Sequence, residues 1–397
     1  MGMIKGWFHG AIVLALGFCP ITPSFAQKNV IKIGIALPFH GGMGKPNKLS
    51  DAMLDYYAGL KIAFSELELE GFNAEVSVWD TEPNDSIPLN QLALESIVSS
   101  PNFANRDVVI GPVYGKNFTD LIANIQKNNT PYPKLWISPL TYITPIEVKE
   151  NGIAKNTDSN DTNTHNISSF YPNVNFFIPD SLRFKALANA VAGQFSTYRI
   201  CLIVDGSTPS KAKSNVYKSI IGKTHASTVS IHTWTNGKLT PTLPNRDSLI
   251  LAVCIESADE RIGLGKLLKN RASSWIIGDL SWFEDKQFYP GINDEFCLFP
   301  TVNFVDFHNA DCIDFTRNYF NSEHSEPSKY AFIGYDHGVF LAYGIMAFGN
   351  NFIVSLPDAT YEGLINNINV KSGKKSHYNY GIRFVLIPDE TPHLFEQ

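Results

Sequence analysis

The 397-residue sequence contains no G-x-S-x-G elbow, no H-E-x-x-H, no Walker glycine loop and no G-x-G-x-x-G. Those absences remove the enzyme classes that such motifs announce, so a non-enzyme is expected. No Cys-x-x-Cys and no His/Cys cluster offers zinc spacing. His40 stands alone at such spacing and reads as a loop residue, so neither a metal nor another cofactor is expected. Charge is scarce: 18% of residues are Asp, Glu, Lys or Arg, and the formal net charge is −6. No basic run stands out, which argues against nucleic acid as a partner. Beyond the N-terminal segment, no apolar run reaches the roughly 20 residues of a membrane helix.

Cysteine is also rare, with five in the chain. Cys201 and Cys254 fall on strands expected to be neighbours but out of register, so they read as buried free thiols. A Cys297–Cys312 disulfide remains open for an exported chain. Export is what the N-terminus points to. Lys5 supplies a positive start, Trp7–Phe18 an apolar core, and Ser24 and Ala26 small residues before a cut at Gln27. Residues 1–26 are therefore expected to be a secretory signal peptide and the mature chain periplasmic. Lipidation at Cys19 is the alternative, which Phe18 and Pro20 on either side fit poorly.

What is present describes a folded protein of two domains. The sequence is 44% hydrophobic, with 27 Phe and 16 Tyr, which excludes a disordered chain. Its length exceeds what one ordinary core serves. Residues 30–137 read as strand and helix in alternation: strands at Val30–Leu37, Ala74–Trp79, Val108–Ile110 and Leu135–Ile137, helices at Ser50–Glu70, Ile87–Ser99 and Asp120–Lys127. Gly71 stops the first helix. That alternation predicts an α/β fold with a doubly wound parallel sheet. The polar stretch 150–166 reads as a surface insertion.

The pattern then starts again. Asp180 or Ser181 caps a helix, Arg199–Val204 is a strand, and Pro209 opens the next helix. Val229–Trp234, Ser248–Cys254 and Ser274–Ile277 are strands, and Ser257–Glu260 is a capping box. The remaining third supplies a strand at Glu295–Phe299 and helices at Ile313–Phe320, Asp336–Phe348 and Tyr361–Ile368, with a last strand at Ile382–Ile387. Asp336 reads as the cap of the helix it opens. Tyr330 and Tyr335 read as packing between the lobes. These pieces complete the two lobes, expected at 28–145 plus 295–350 and at 170–290 plus 375–397.

Two polar turns follow apolar strands, Gly111–Asn117 and Ser138–Tyr142. In such sheets ligands sit at the carboxyl ends of the strands, and free amides at helix starts favour an anion. The turns are therefore expected to form one wall of a ligand cleft. Each residue also has a plainer role open to it, Lys116 as a solvated lysine, and Tyr142 and Trp282 as packed aromatics.

Several stretches resemble the type I periplasmic binding proteins, the fold of branched-chain amino-acid receptors. IGIALPFHGG resembles the family's first strand and turn, DVVIGPVYGKN and LWISPLT its two binding turns, and KYAFIGYDHGVFLAYGI a late helix. The stretch SDAMLDYYAGLKIAFSEL is similar to a Bacteroidetes-type branch found beside peptidoglycan-binding repeats, although no such repeat occurs in this sequence. The resemblance implies two doubly wound lobes joined by a multi-strand hinge and closing on a small polar ligand, an amino acid or related compound. A permease or sensor would be the partner. It places Tyr114, Gly115, Lys116 and Asn117 at the turn that carries a ligand-binding serine, with Gly115 where that serine would stand. It places Ser138, Thr141 and Tyr142 at the second turn, and Asp279 near the carboxylate that meets a ligand ammonium. Tyr142 and Trp282 would stack on the ligand. The same fold with a degraded ligand turn can instead be an envelope interaction module that regulates peptidoglycan synthesis.

Overall fold

Apolar strands buried on both faces dictate the architecture. The computed structural model describes residues 30–41, 47–84, 86–141, 147–148, 169–170, 173–178, 180–195, 197–225, 229–244, 249–268, 274–278, 296–357, 359–372, 377–387 and 393–394. In chain order the first part comprises β1 (Ile31–Leu37), α1 (Lys48–Glu68), β2 (Ala74–Asp80), α2 (Ile87–Ser99), β3 (Val108–Ile110), α3 (Gly115–Asn128), β4 (Leu135–Ser138), β5 (Glu147–Val148), β6 (Ser169–Phe170) and β7 (Asn173–Asn175). Strands β2, β1, β3, β4 and β7 lie side by side in that order, all parallel. A parallel sheet needs helices on both faces, which is why β1 and β3 carry no polar side chain except Lys32.

The second part repeats the plan with α4 (Asp180–Gln194), β8 (Arg199–Val204), α5 (Thr208–His225), β9 (Val229–Thr235), β10 (Lys238–Thr240), β11 (Leu249–Val253), α6 (Ala258–Leu268), β12 (Ser274–Ile277) and β13 (Phe296–Thr301). Its strand order β9-β8-β11-β12-β13 matches the winding of the first sheet. Hairpin strand β10 was not expected. Asn236 and Gly237 both have positive φ, 50° and 75°, the two-residue turn that Asn-Gly favours.

The last third is α7 (Ala310–Glu323), α8 (Lys329–Phe348), α9 (Phe352–Ser355), β14 (Thr360–Glu362), β15 (Asn367–Ser372), β16 (His377–Asn379), β17 (Arg383–Ile387) and β18 (His393–Leu394). Strands β14, β15 and β16 extend the first sheet beyond β7, and β17 and β18 extend the second beyond β13. The chain divides into two units. Unit 1 is Met1–Ile178, Ala310–Leu364 and Ile368–Tyr380; unit 2 is Pro179–Asn309, Ile365–Asn367 and Gly381–Gln397. The crossings therefore differ from the expected bounds: β13 belongs to the second sheet, and 368–380 to unit 1.

Several elements depart from expectation. Helix α8 starts at Lys329, capped by Ser328 Oγ, which accepts the Tyr330 amide at 3.2 Å. Asp336 is thus mid-helix and caps nothing there. Gly334, inside the helix, is where α8 meets α1 backbone to backbone: a Cβ on Gly334 would collide with Tyr56 O, and one on Gly59 with Ala331 O. The 20-residue α8 is also long and apolar enough to cross a membrane, contrary to the expectation of no such run, but it is mostly buried within the fold. Residues 361–368 are not helical. They belong to β14, β15 and the link between them, with Ile368 and Val370 buried in alternation.

Tyr335 packs inside unit 1 rather than between lobes, with its hydroxyl 2.7 Å from Glu66 Oε2 and its ring 4.8 Å from Phe315. Pro209 stands second in α5, after Thr208, at a position whose amide is equally unneeded. Only half of the Ser257 capping box forms, because the Glu260 carboxylate accepts the Trp234 indole N–H instead. All four cysteines from Cys201 on are buried free thiols, and Cys297 and Cys312 fall in different units, so the open disulfide is not formed. The proposed signal peptide and the 150–166 insertion lie outside the described residues.

Candidate functional site

Parallel strands all end on the same side, so the loops after β1, β2, β3 and β4 gather on one edge of the first sheet. In open α/β sheets this carboxyl edge is where ligands bind. Asp80 ties two of those loops together. Its Oδ1 accepts the amides of Phe39 (2.9 Å) and Glu82 (3.0 Å), and its Oδ2 accepts that of Gly41 (2.8 Å). This carboxylate is spent on the fold. His40 sits in the same loop at φ 53°, with Nε2 3.1 Å from Asn47 Nδ2.

The next two loops are locked to each other. The Trp136 indole donates to Gly111 O, and the Thr141 hydroxyl donates to Val113 O. Ser138 Oγ donates to Thr141 O at 2.5 Å. Each such bond contributes about 1 kcal/mol. Ser138 and Thr141 were expected to face a ligand. Their hydroxyl protons instead hold the turns in place, and Ser138 is buried.

Helix α3 begins at Gly115, five residues earlier than the expected Asp120, so Gly115, Lys116 and Asn117 form its first turn. Tyr114 is the N-cap residue, and its side chain makes no capping bond. The first amides of a helix have no intrahelical acceptor and carry the positive end of its dipole. Apart from its chain neighbours and its own helix, no described residue lies within 4 Å of where a Cβ on Gly115 would stand, so that flank of the helix start is open among the described residues.

The side chains around that opening are unequal. Lys116 pairs with Asp120 at 2.8 Å, with the two side chains 64% and 30% exposed, a pair worth about 0.5 kcal/mol or less. It is the solvated lysine of the plainer reading. Asn117 is buried and donates from Nδ2 to Glu82 Oε1 at 2.9 Å. Tyr114 is 42% exposed. Burial and then the Glu82 carboxylate raise its phenol above the ordinary value, so it remains a donor at neutral pH. Glu82 was missed at the sequence level. The available signal was its place two residues past the end of β2. Tyr142, Asp279 and Trp282 lie outside the described residues.

At the carboxyl edge of the second sheet, the turn after β8 is closed upon itself. Asp205 follows β8, and its carboxylate accepts the Ser207 amide at 2.9 Å and the Glu256 amide at 3.3 Å. Ser210 Oγ accepts the Asp205 amide at 3.1 Å, and Ser207 Oγ accepts the Ser210 amide at 3.3 Å. Desolvation raises the Asp205 carboxyl, but the bonds from Ser207, Glu256 and Ser210 outweigh it and leave the group below its ordinary value. Lys213 pairs with Glu256 and lies 4.4 Å from the Phe184 ring centroid. Among the described residues, no group of three His, Cys, Asp or Glu could hold a metal ion.

No protein-family model and no curated protein matches the chain. Solved structures do resemble it. One is a putative branched-chain amino acid ABC transporter from Rhodospirillum rubrum, 9% identical at a TM-score of 0.59, covering 92% of this chain and 100% of that one. Another is the LpoA C-domain from Haemophilus influenzae, a regulator of PBP1A, 11% identical at 0.52 and covering 92% and 100%. Full-length LpoA from the same organism is 12% identical at 0.54, covering 94% of this chain and 60% of its own. At these identities the likeness speaks for the fold, and the fold of this chain is that of the type I periplasmic binding proteins.

Proposed function

We propose that the chain is an extracytoplasmic binding protein for a small zwitterionic ligand, an amino acid or a close relative, serving uptake or sensing. The observation that carries this is the uncapped start of α3 at Gly115, open on that flank among the described residues, with Glu82 and Tyr114 beside it. Backbone amides at the positive end of a helix suit a ligand carboxylate. The Glu82 carboxylate suits an ammonium, and the Tyr114 hydroxyl can donate to either end of the carboxylate. In this reading Ser138 and Thr141 hold the turns, Tyr142, Asp279 and Trp282 complete the site, and the two units close on the ligand. Residues 1–26, or lipidation at Cys19, bring the chain to the periplasm, where a membrane permease or sensor is its partner.

A second reading has its own support. The hydroxyls of Ser138 and Thr141 and the amide of Asn117 are committed within the fold, and Gly115 has no hydroxyl. A chain so arranged would serve as an envelope interaction module, for example in regulating peptidoglycan synthesis, the kind of role that LpoA has as a regulator of PBP1A.

Thermal unfolding against a panel of amino acids, short peptides and muropeptides separates the two. A ligand at about a hundred times its Kd stabilises the folded state by about 2.7 kcal/mol, so Tm must rise. The first reading expects a rise with at least one amino acid, much reduced in Glu82→Gln. No rise with any amino acid overturns it, and binding to a peptidoglycan synthase in that case supports the second.

A further inference from the structure

We infer that the outer face of α4 and α5 in unit 2 docks on an anionic lipid surface through Lys185, Lys211, Lys218 and Lys223. The chain is acidic, with a formal net charge of −6, yet residues 181–246 hold nine Lys and Arg and a single acid, Asp205. No consecutive basic run marks this stretch, because the lysines are spread at helical spacing. Helices α4 and α5 pack on the same face of the second sheet, where Leu187, Val191, Tyr217 and Ile221 join a common core. Their other sides face water. On α5, Lys211, Asn215 and Lys218 follow one another four and three positions apart and are all exposed, which sets them on one line along the helix. Exposed Lys223 lies one turn further on. On α4 the exposed line is Lys185, Asn189 and Gly193. The acids of this region stand at helix starts, where negative charge is favourable. Asp180 is the first residue of α4, and Asp205 precedes α5 with its carboxylate committed to the Ser207 and Glu256 amides.

Nothing described in the fold neutralises these four lysines. In unit 1, Lys61, Lys116, Lys127 and Lys134 each pair with a carboxylate. On α5 itself, Lys213 pairs with Glu256. Among the described residues, Lys185, Lys211, Lys218 and Lys223 have no ion-pair partner. Like charges gathered on one face repel one another, and an anionic surface relieves that repulsion. A single bound anion would need converging donors. These amines are spread instead, over about 18 Å of α5 from Lys211 to Lys223 at about 1.5 Å per residue, and across to α4. That spread fits an array of headgroups. All four are lysines, which stay hydrated as point charges rather than gripping a phosphate with two parallel bonds. None of the exposed positions on α4 or α5 is aromatic, so no ring is offered to a nucleic-acid base. Both features favour lipid over nucleic acid. The inference depends on neither reading of the carboxyl edge.

Co-sedimentation of the purified full chain with vesicles tests it, comparing phosphatidylcholine alone with phosphatidylcholine containing phosphatidylglycerol. A lysine near an anionic membrane contributes about fivefold in affinity. The native chain is expected to bind the phosphatidylglycerol vesicles more strongly in low salt. That excess should vanish toward about 1 M salt, where the screening length falls to about 3 Å. Lys211→Gln with Lys218→Gln should weaken the excess by about twenty-fivefold. Adding Lys185→Gln and Lys223→Gln should abolish it. Lys127→Gln with Lys134→Gln removes the same charge from unit 1 and should leave binding at the native level. All six side chains are exposed, so these substitutions leave the fold intact. Equal binding of the native chain to both vesicles overturns the inference. So does a loss in the Lys127 and Lys134 variant as large as that in the Lys211 and Lys218 variant, which would assign binding to net charge. Retention on heparin without binding to the vesicles also overturns it and would assign the face to a soluble polyanion.

Discussion

The turns after β3 and after β8 each lead from a parallel strand into a helix in sheets of the same winding, yet they treat their helices in opposite ways. After β8, Asp205, Ser207 and Ser210 satisfy one another and the start of α5. After β3, Trp136 and Thr141 hold the turn by its carbonyls and leave the first amides of α3 uncapped. A side chain that caps a helix also blocks it as an anion site. One turn is therefore built for stability, and the other keeps its amides for something else.

The largest expected effect separates the units by pH. His337 is fully buried in unit 1, its Nδ1 3.0 Å from the Tyr56 hydroxyl and its ring 4.3 Å from that of Phe176. Burial lowers its pKa from 6.5 to about 3. The folded state keeps it neutral while the unfolded chain takes up a proton. Its cost is absent above pH 6.5 and grows as pH falls from there toward 3, by about 1.4 kcal/mol per pH unit. Asp205 in unit 2 has the opposite origin. Its folded pKa is lowered, so its contribution is full above the unfolded carboxylate value and is lost only as pH falls through the folded one. Urea unfolding at pH 7 and pH 5 should show a loss of about 2 kcal/mol that His337→Gln removes. An unchanged slope in that variant would assign the acid sensitivity elsewhere.

Asp205→Ala comes next. It leaves the Ser207 and Glu256 amides without their acceptor and should cost about 2 kcal/mol in denaturant unfolding. A cost under about 0.5 kcal/mol would mean that the second turn is no more self-supporting than the first. The smallest effect is Gly115→Ser. The added Cβ meets no described residue beyond its chain neighbours and its own helix within 4 Å, so stability should change by less than about 0.5 kcal/mol. Its readout is the ligand: a hydroxyl at the open helix start should strengthen the Tm rise produced by whichever amino acid binds. A large destabilisation would show that the space beside Gly115 is already filled.

Strands were legible because burial on both faces leaves continuous apolar runs, as in Ile31–Leu37 and Leu249–Val253. Helix starts were less so. Gly115 was read in a turn and Asp336 as a helix cap, but Gly115 stands in the first turn of α3 and Asp336 in the middle of α8. Pairing partners at sheet edges were not legible either: residues 361–368, which run from the end of β14 to the start of β15, were read as a helix. At the site, the positions of the two turns were readable, whereas the direction of each hydroxyl was not.

By itself the sequence determined the α/β alternation, its repetition and the place of the polar turns, because these follow from local periodicity and from where apolar runs stop. Only the tertiary structure decided which polar atoms remain for a ligand. Thr141 meets Val113 across 28 residues, Asn117 meets Glu82 across 35, and Asp336 meets Leu364 across 28. A hydrogen bond forms with whichever group the fold brings within reach, and no local pattern records that group.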